Sequence, residues 1–467
     1  MLKKYFGDKA FYRYVLSLAI PIMVQNGITN FVNMLDNVMV GQVGTVEMTG
    51  VAVANQLVFV FNLCIFGAVS GAGIFGAQFH GNNDHVGVRD TLRFKLLFCT
   101  AMTVLGMVVL GVWGEPLINL YLQGEGNLED AAASLSFAKQ YVGIMLIGLI
   151  PYSLTQCYSS TLRETGKTLP PMVAGLVAVF VNLALNAILI FGLLGFPKLG
   201  VAGAAIATVI SRFTELAIVG IWTHVNRAIN PFVTGLYRSM RVPRALIAQI
   251  AAKGFPLMAN ETLWAAGIAM VNQCYSAISL DVVAANNIGQ TFFNVFGTAF
   301  LSMGAAIGII LGQKLGANAF DDARSAATKL ITFSVCIGIA VGAVYFVCAE
   351  WIPLFYNTTD TIRETATRLM QIAAVVMPLD AFVNSSYFTL RSGGKTFATF
   401  LFDSVFVWLV NVPVAFVLAH YTDVSVLWVY GAVQATNLIK CVIGGTLVGK
   451  GIWLRNIVET KQGDKRL

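Results

Sequence analysis

Five carboxylates fall inside apolar stretches of this 467-residue chain: Asp36, Glu215, Glu261, Asp380 and Asp403. A carboxylate at membrane depth costs about 2.5–3.5 kcal/mol on insertion scales and is kept where it faces a cavity, a partner or an ion. The chemistry such groups offer is reversible binding of a cation or a proton. Glu261 shares a helical face with Trp264, Ile268 and Asn272, and Asn260 is adjacent; Asp380 shares its face with Met377, Asn384 and Tyr387. A hydrogen-bonded structural glutamate and a helix-packing aspartate are the competing explanations for the two. Asp36 continues a stripe of Gln25 and Thr29, beside a second stripe of Asn26, Asn30, Asn33 and Asn37. Buried amides at that density need partners, although a solvated charge at the outer end of a helix would also explain Asp36. Farther along, Asn182 and Asn186 stand one turn apart and Thr208 follows on the next apolar stretch. Asp403, ahead of Trp408 and Asn411, is open between a functional and a structural role. Glu215, three residues after Arg212, is explained by an ion pair along one helix.

The elements that must position these groups are membrane helices. Apolar residues make up 57% of the chain and charged ones 11%, against roughly 25% charged in a soluble domain. Apolar runs long enough to span a bilayer fall at about 14–39, 50–78, 94–114, 137–161, 170–193 and 201–223. A second set falls at about 247–275, 283–312, 327–349, 369–391, 396–419 and 425–448. The sequence predicts an N-terminal six-helix bundle (1–223), a linker (224–246) with Arg227, Arg238, Arg241 and Arg244, a C-terminal bundle (247–450) and a tail (451–467).

Of 30 lysines and arginines, all but Lys139, Lys198, Arg363 and Arg368 fall on the loops and tails that share a side with the N-terminus. Positive residues favour the cytoplasmic side, so both termini are expected there. The scatter of these charges over short loops argues against nucleic acid as the partner of the +7 net charge. The seven cysteines and four histidines form no C-x-x-C pair and no ligand spacing. With no nucleophile beside a base either, the residues speak against a membrane enzyme and call for no resident cofactor or metal. Trp113, Trp222, Trp351, Trp428 and Trp453 lie near span ends, where indoles favour the interface. Trp264 and Trp408 are mid-span, either as packing or as faces for an organic cation.

The chain also repeats itself. At one constant spacing Pro21 matches Pro256, Gln78 matches Gln313, Gly81 matches Gly316 and Glu115 matches Glu350. At a second, slightly shorter spacing LRETGKT (162–168) recurs as LRSGGKT (390–396), and Gly203, Ala204, Ala207 and Thr208 recur as Gly431, Ala432, Ala435 and Thr436. Six helices per repeat is even, so both halves enter the membrane in the same sense, a parallel duplication known among transporters. The mid-span carboxylates do not repeat: Glu261 corresponds to Asn26, and Asp36 to Val271. The two bundles are therefore expected to do different jobs.

The segments AIPIMVQNGITNFVNMLDNVMVGQVG (19–44) and GFPLMANETLWAAG (254–267), with the two L-R-x-x-G-K-T turns, resemble the multidrug and toxic compound extrusion family over about residues 12–450. The resemblance implies an all-α membrane protein of twelve helices, two bundles around a V-shaped cleft. It implies an alternating-access antiporter that exports cationic or amphiphilic organic compounds against Na⁺ or H⁺, working as a monomer in the bacterial inner membrane among its lipids. It further implies a cation site of Asp36, Asn182, Asn186 and Thr208 in the N-terminal bundle. In the C-terminal bundle it implies a patch of Glu261 and Asp380, around which Asn260, Asn272 and Asn384 would gather. Asn33, Trp264, Met377, Tyr387 and Asp403 are candidates for the substrate lining. Some proton-coupled members carry a second aspartate where this chain has Asn186; one carboxylate with neutral oxygens suits Na⁺, and the ion stays open. The alternative is a lipid-linked oligosaccharide flippase, which the acidic character of the mid-membrane charges disfavours.

Overall fold

Long apolar runs with few turn residues fold here as helices, because a backbone without water must satisfy its hydrogen bonds internally. The computed structural model describes residues 5–122, 128–356 and 358–459, with the side chains of 32–38, 128 and 280 left outside. All regular structure among the described residues is helical. The first six long helices are α1 (Lys9–Gly41), α2 (Thr45–Gly81), α3 (His85–Leu122), α4 (Leu128–Glu164), α5 (Leu169–Phe191) and α6 (Val201–Val225). The second six are α7 (Arg244–Ile278), α8 (Leu280–Gly316), α9 (Phe320–Cys348), α10 (Asp360–Ser392), α11 (Thr396–Tyr421) and α12 (Val426–Gly449). Ten of the twelve, α2 to α6 and α8 to α12, are long and apolar enough to cross a membrane by length and composition among the described residues. The other two, α1 and α7, are the first helices of the two repeats and run for 33 and 35 residues.

Several helices extend well past the predicted apolar runs. α3 starts at His85 and α4 continues to Glu164, because backbone hydrogen bonding carries on into polar flanks that packing covers. Lys95 and Glu164 are thereby drawn inside helix bodies, at 1% and 6% exposure.

The repeat is visible in the backbone. Gly166 and Gly394, the same position of the two L-R-x-x-G-K-T turns, both adopt left-handed φ, +79° and +72°, which glycine does without strain. Asn83 and Asn318, after α2 and α8, adopt +55° and +57° and tolerate that region better than most residues. Gly81 lies directly against the Gln313 carbonyl, and Gly316 directly against the Gln78 carbonyl. Side chains at these two glycines would collide with backbone, which explains why both are glycine.

The chain divides into two compact units. One is Val24–Gly76 with His85–Ile250; the other is Ala251–Leu467 with Met1–Met23 and Ala77–Asp84. In the second unit the α2 end is held by the chain after α12. Gln78 Nε2 donates to the carbonyls of Ser392 (2.9 Å) and Arg455 (3.2 Å), and its Oε1 accepts from the Ile457 amide (2.8 Å). Trp453, expected at an interface, is 1% exposed instead, in a core cluster with Leu315, Leu330 and Leu390.

Candidate functional site: two polar clusters inside the helices

The unit that contains α8 to α12 and most of α7 holds a cluster of polar side chains among its helices. Asn260 of α7 is its centre, at 1% exposure. Its Nδ2 donates to Asp403 Oδ2 at 3.1 Å and to the Tyr387 hydroxyl at 3.4 Å. Ser404 returns a bond from its hydroxyl to Asn260 Oδ1 at 2.7 Å, and its amide reaches the same oxygen at 3.3 Å. On the far side of Asp403, Lys440 of α12 places Nζ 3.0 Å from Oδ1. Asn437, one turn before Lys440, donates to Asp380 Oδ1 at 2.7 Å. Glu261 follows Asn260 in α7 and lies within the field of the Arg391 guanidinium and the Asp403 carboxylate.

Local backbone irregularity presents these groups. Pro378 sits two residues before Asp380 in α10; a proline in a helix interior removes one hydrogen bond and bends the axis. α11 winds as two successive π-turns, Leu401–Val405 and Val407–Asn411, and such wide turns are frequent at functional sites. Asp403 and Ser404 lie in the first, Trp408 in the second, with its Nε1 donating to the Leu263 carbonyl at 2.9 Å. Of the predicted residues, Glu261, Asp380, Asn260, Tyr387 and Asp403 thus come together.

Others go elsewhere. Asn272 accepts from Asn286 Nδ2 of α8 at 3.2 Å, three turns from Glu261 and on an exposed stretch. Asn384 donates to the Phe300 and Leu301 carbonyls at 3.2 and 3.4 Å, so it fastens α10 to α8. Met377 is fully enclosed in the apolar core of α8, α9 and α10, a packing position that exposes no surface for a substrate. Trp264 is 43% exposed on α7.

In the other unit, Asn186 Nδ2 donates to Asn182 Oδ1 at 3.1 Å, and Asn182 Nδ2 donates to Thr208 Oγ1 at 3.3 Å. The three predicted neutral residues are therefore one chain of hydrogen bonds. Asn186 and Thr208 line a cavity of about 420 Å³ together with Asn55, Gln56, Asn62 and Arg212. Asp36 and Asn33 belong to the same helix that supplies Val40 to this lining, and their side chains lie outside the described residues. Arg212 makes no direct pair with Glu215. It donates to the Gly148 carbonyl at 3.3 Å and lies over the Tyr152 ring, 5.0 Å from its centroid. Glu215 feels Arg163 as well as Arg212, so the ion pair expected along one helix is a looser field of two cations.

Sequence reasoning missed the buried cations. The sequence groups Lys440 and Lys95 with the loop charges and offers only acidic groups at mid-membrane depth. Lys440 is 5% exposed in α12. Lys95 donates to both oxygens of Glu164 at 2.6 and 2.7 Å, and to Ser160 and Thr161 at 2.9 and 3.1 Å. Lys440 was foreshadowed by Thr436 and Asn437, the polar residues one turn back on the same face.

The MatE family model matches residues 21–188 and 256–417, one match in each half of the chain. A probable multidrug resistance protein NorM of Thermotoga maritima is 25% identical over 97% of this chain and 95% of its own. A probable multidrug resistance protein YoeA of Bacillus subtilis is 26% identical over 90% of each. The fold is similar to that of a solved structure described as the outward-facing conformation of a multidrug resistance MATE family transporter, with TM-score 0.86 at 18% identity over 96% of this chain and 97% of that one. Twelve long helices, a duplicated backbone plan and a family match in both halves lead to one conclusion: this membrane protein belongs to the MatE family.

Proposed function

We propose that this protein is a secondary active antiporter that exports cationic or amphiphilic organic compounds by alternating access in exchange for Na⁺ or H⁺. The observation that carries the proposal is the half-buried cluster of Glu261, Asp380 and Asp403, in which Lys440 pairs with Asp403 and the charges of Lys440 and Arg391 act on Asp380 and Glu261. Carboxylates kept inside a membrane bundle mark an ion or substrate path. A patch that an organic cation and a coupling ion cannot occupy together makes each displace the other, and exchange follows from that competition. The names of the relatives, multidrug resistance proteins, support an organic cargo. The asparagine–threonine chain of the other unit supplies neutral oxygens, and with Asp36 it would make a second place for a coupling ion. The protein would work in the inner membrane with both termini and the 224–246 linker in the cytoplasm.

A lipid-linked oligosaccharide flippase is the second reading, and Arg212 in the cavity lining is what favours it, since a guanidinium suits an anionic headgroup. Dye efflux from cells, with Na⁺ and pH gradients imposed separately, tests the proposal. Efflux should follow one of the gradients and stop when that gradient is collapsed. Efflux indifferent to both would overturn it. Cysteine tags at both termini and in the linker should label only from the cytoplasmic side.

A further inference from the structure

Lys440 sits where a cargo-binding patch would be expected to hold only negative charge. Its side chain is 6% exposed, with Nζ fixed 3.0 Å from Asp403 Oδ1. The rings of Phe406 and Phe402 flank the same ammonium, 5.3 and 6.0 Å from it, so aromatic faces share in holding it. The other oxygen of Asp403 is taken by Asn260 at 3.1 Å. Lys440 is thus held from several directions, and its charge also reaches Asp380. Arg391, the second cation of the network, acts on Glu261 and lies over the Phe388 ring at 5.2 Å. With all groups ionised, Glu261, Asp380 and Asp403 against Lys440 and Arg391 leave a single negative charge.

We infer that Lys440 is a specificity-determining residue: a resident cation that cancels Asp403, so that the patch accepts one monovalent cation at a time and rejects dications. The inference rests on the proposed export of organic cations. Its physical basis is that discrimination between two ligands comes from repulsion built against one as much as from attraction to the other. In a site of low effective dielectric, a second positive charge on the ligand meets Lys440 with little screening. A monocation satisfies the one charge left over and meets no net repulsion. Lys440 is a positioning and selecting group in this scheme, and the cargo need not touch it.

The test uses tetraphenylphosphonium as the monocation and a bis-phosphonium dication of similar aromatic content. Binding is read as ligand-induced thermal stabilisation of the purified protein, and transport as uptake into liposomes. Wild type should bind and move the monocation only. Lys440→Met should raise the ratio of dication to monocation by about tenfold or more, while Lys440→Arg keeps the wild-type ratio. Asp403→Asn, which leaves the patch without net charge, should lose monocation binding. The double variant Asp403→Asn with Lys440→Met regains the single negative charge and should recover monocation binding without admitting the dication. Removing both members of a merely structural ion pair would also restore folding, so the recovery is read as binding per folded protein, and a merely structural lysine would leave the dication-to-monocation ratio of Lys440→Met at the wild-type value. A folded Lys440→Met with an unchanged ratio would overturn the inference, and so would a double variant no better than Asp403→Asn. If Lys440→Met fails to fold, the comparison of the single and double Asp403 variants decides. Wild type that neither binds nor moves any organic cation would overturn the proposed function as well; wild type that moves monocations with ratios unmoved by Lys440 would overturn this inference alone.

Discussion

Asn260 Nδ2 and Asp403 Oδ2 stand 3.1 Å apart, and that bond joins α7 to the first π-turn of α11. The same amide serves Tyr387 of α10 and Ser404. Asn260→Ala should therefore leave Asp403 and Tyr387 short of a partner. Orphaned buried polar groups cost about 1–3 kcal/mol, so a clear drop in melting temperature in detergent is expected, with reduced efflux. A variant that melts and transports like wild type would show that the network is held together without Asn260.

Lys95 and Glu164 form a buried pair with 0% and 8% of their side chains exposed. Removing one partner of such a pair costs about 3–5 kcal/mol, whereas apolar replacement of both is often neutral. Lys95→Met is expected to express poorly or melt early. The double variant Lys95→Met with Glu164→Leu should recover most of the loss, as read by yield and thermal melting. Lack of any recovery would point to a role for the charges beyond the pair.

Gly81 and Gly316 press on each other's partner glutamine carbonyls, in mirror fashion across the repeat. Gly81→Ala and Gly316→Ala should each destabilise by about 1–3 kcal/mol, the usual range for overpacking, and by similar amounts because the contacts are equivalent. Markedly unequal penalties in a thermal melt would argue that the two positions have diverged in use.

Asp36→Asn should still bind an organic cation, because the carboxylates of the α7–α12 unit remain. It should no longer answer to an imposed Na⁺ or proton gradient. Gradient-driven uptake at the wild-type rate would reject a coupling role for Asp36 and leave it a solvated helix-end charge.

Much of this architecture was legible in the sequence. Span count, repeat and the glycine turns follow from apolar length and from residues that only special backbone positions require, as Gly166 and Gly394 illustrate. That Asn182 and Asn186 share a helix face was legible from their spacing of one turn, whereas Thr208 was joined to them only by the family resemblance. The fates of Asn384 and Asn272 were not, since which neighbouring helix a side chain meets depends on packing and not on spacing along its own helix. The cations Lys440 and Lys95 escaped because a lysine near a span end normally reaches the interface. Only the tertiary structure reveals that their ammonium groups turn inward to Asp403 and Glu164.

The most direct test of cation antiport uses purified protein in liposomes, with tetraphenylphosphonium uptake followed while a Na⁺ or pH gradient is imposed. Wild type should accumulate the cation against its own gradient. Glu261→Gln and Asp380→Asn, expressed and folded normally, should lose that accumulation by about tenfold or more, the effect of roughly 1.4 kcal/mol in cation affinity. Equilibration of wild type without accumulation, or accumulation by both variants at the wild-type rate, would contradict the account.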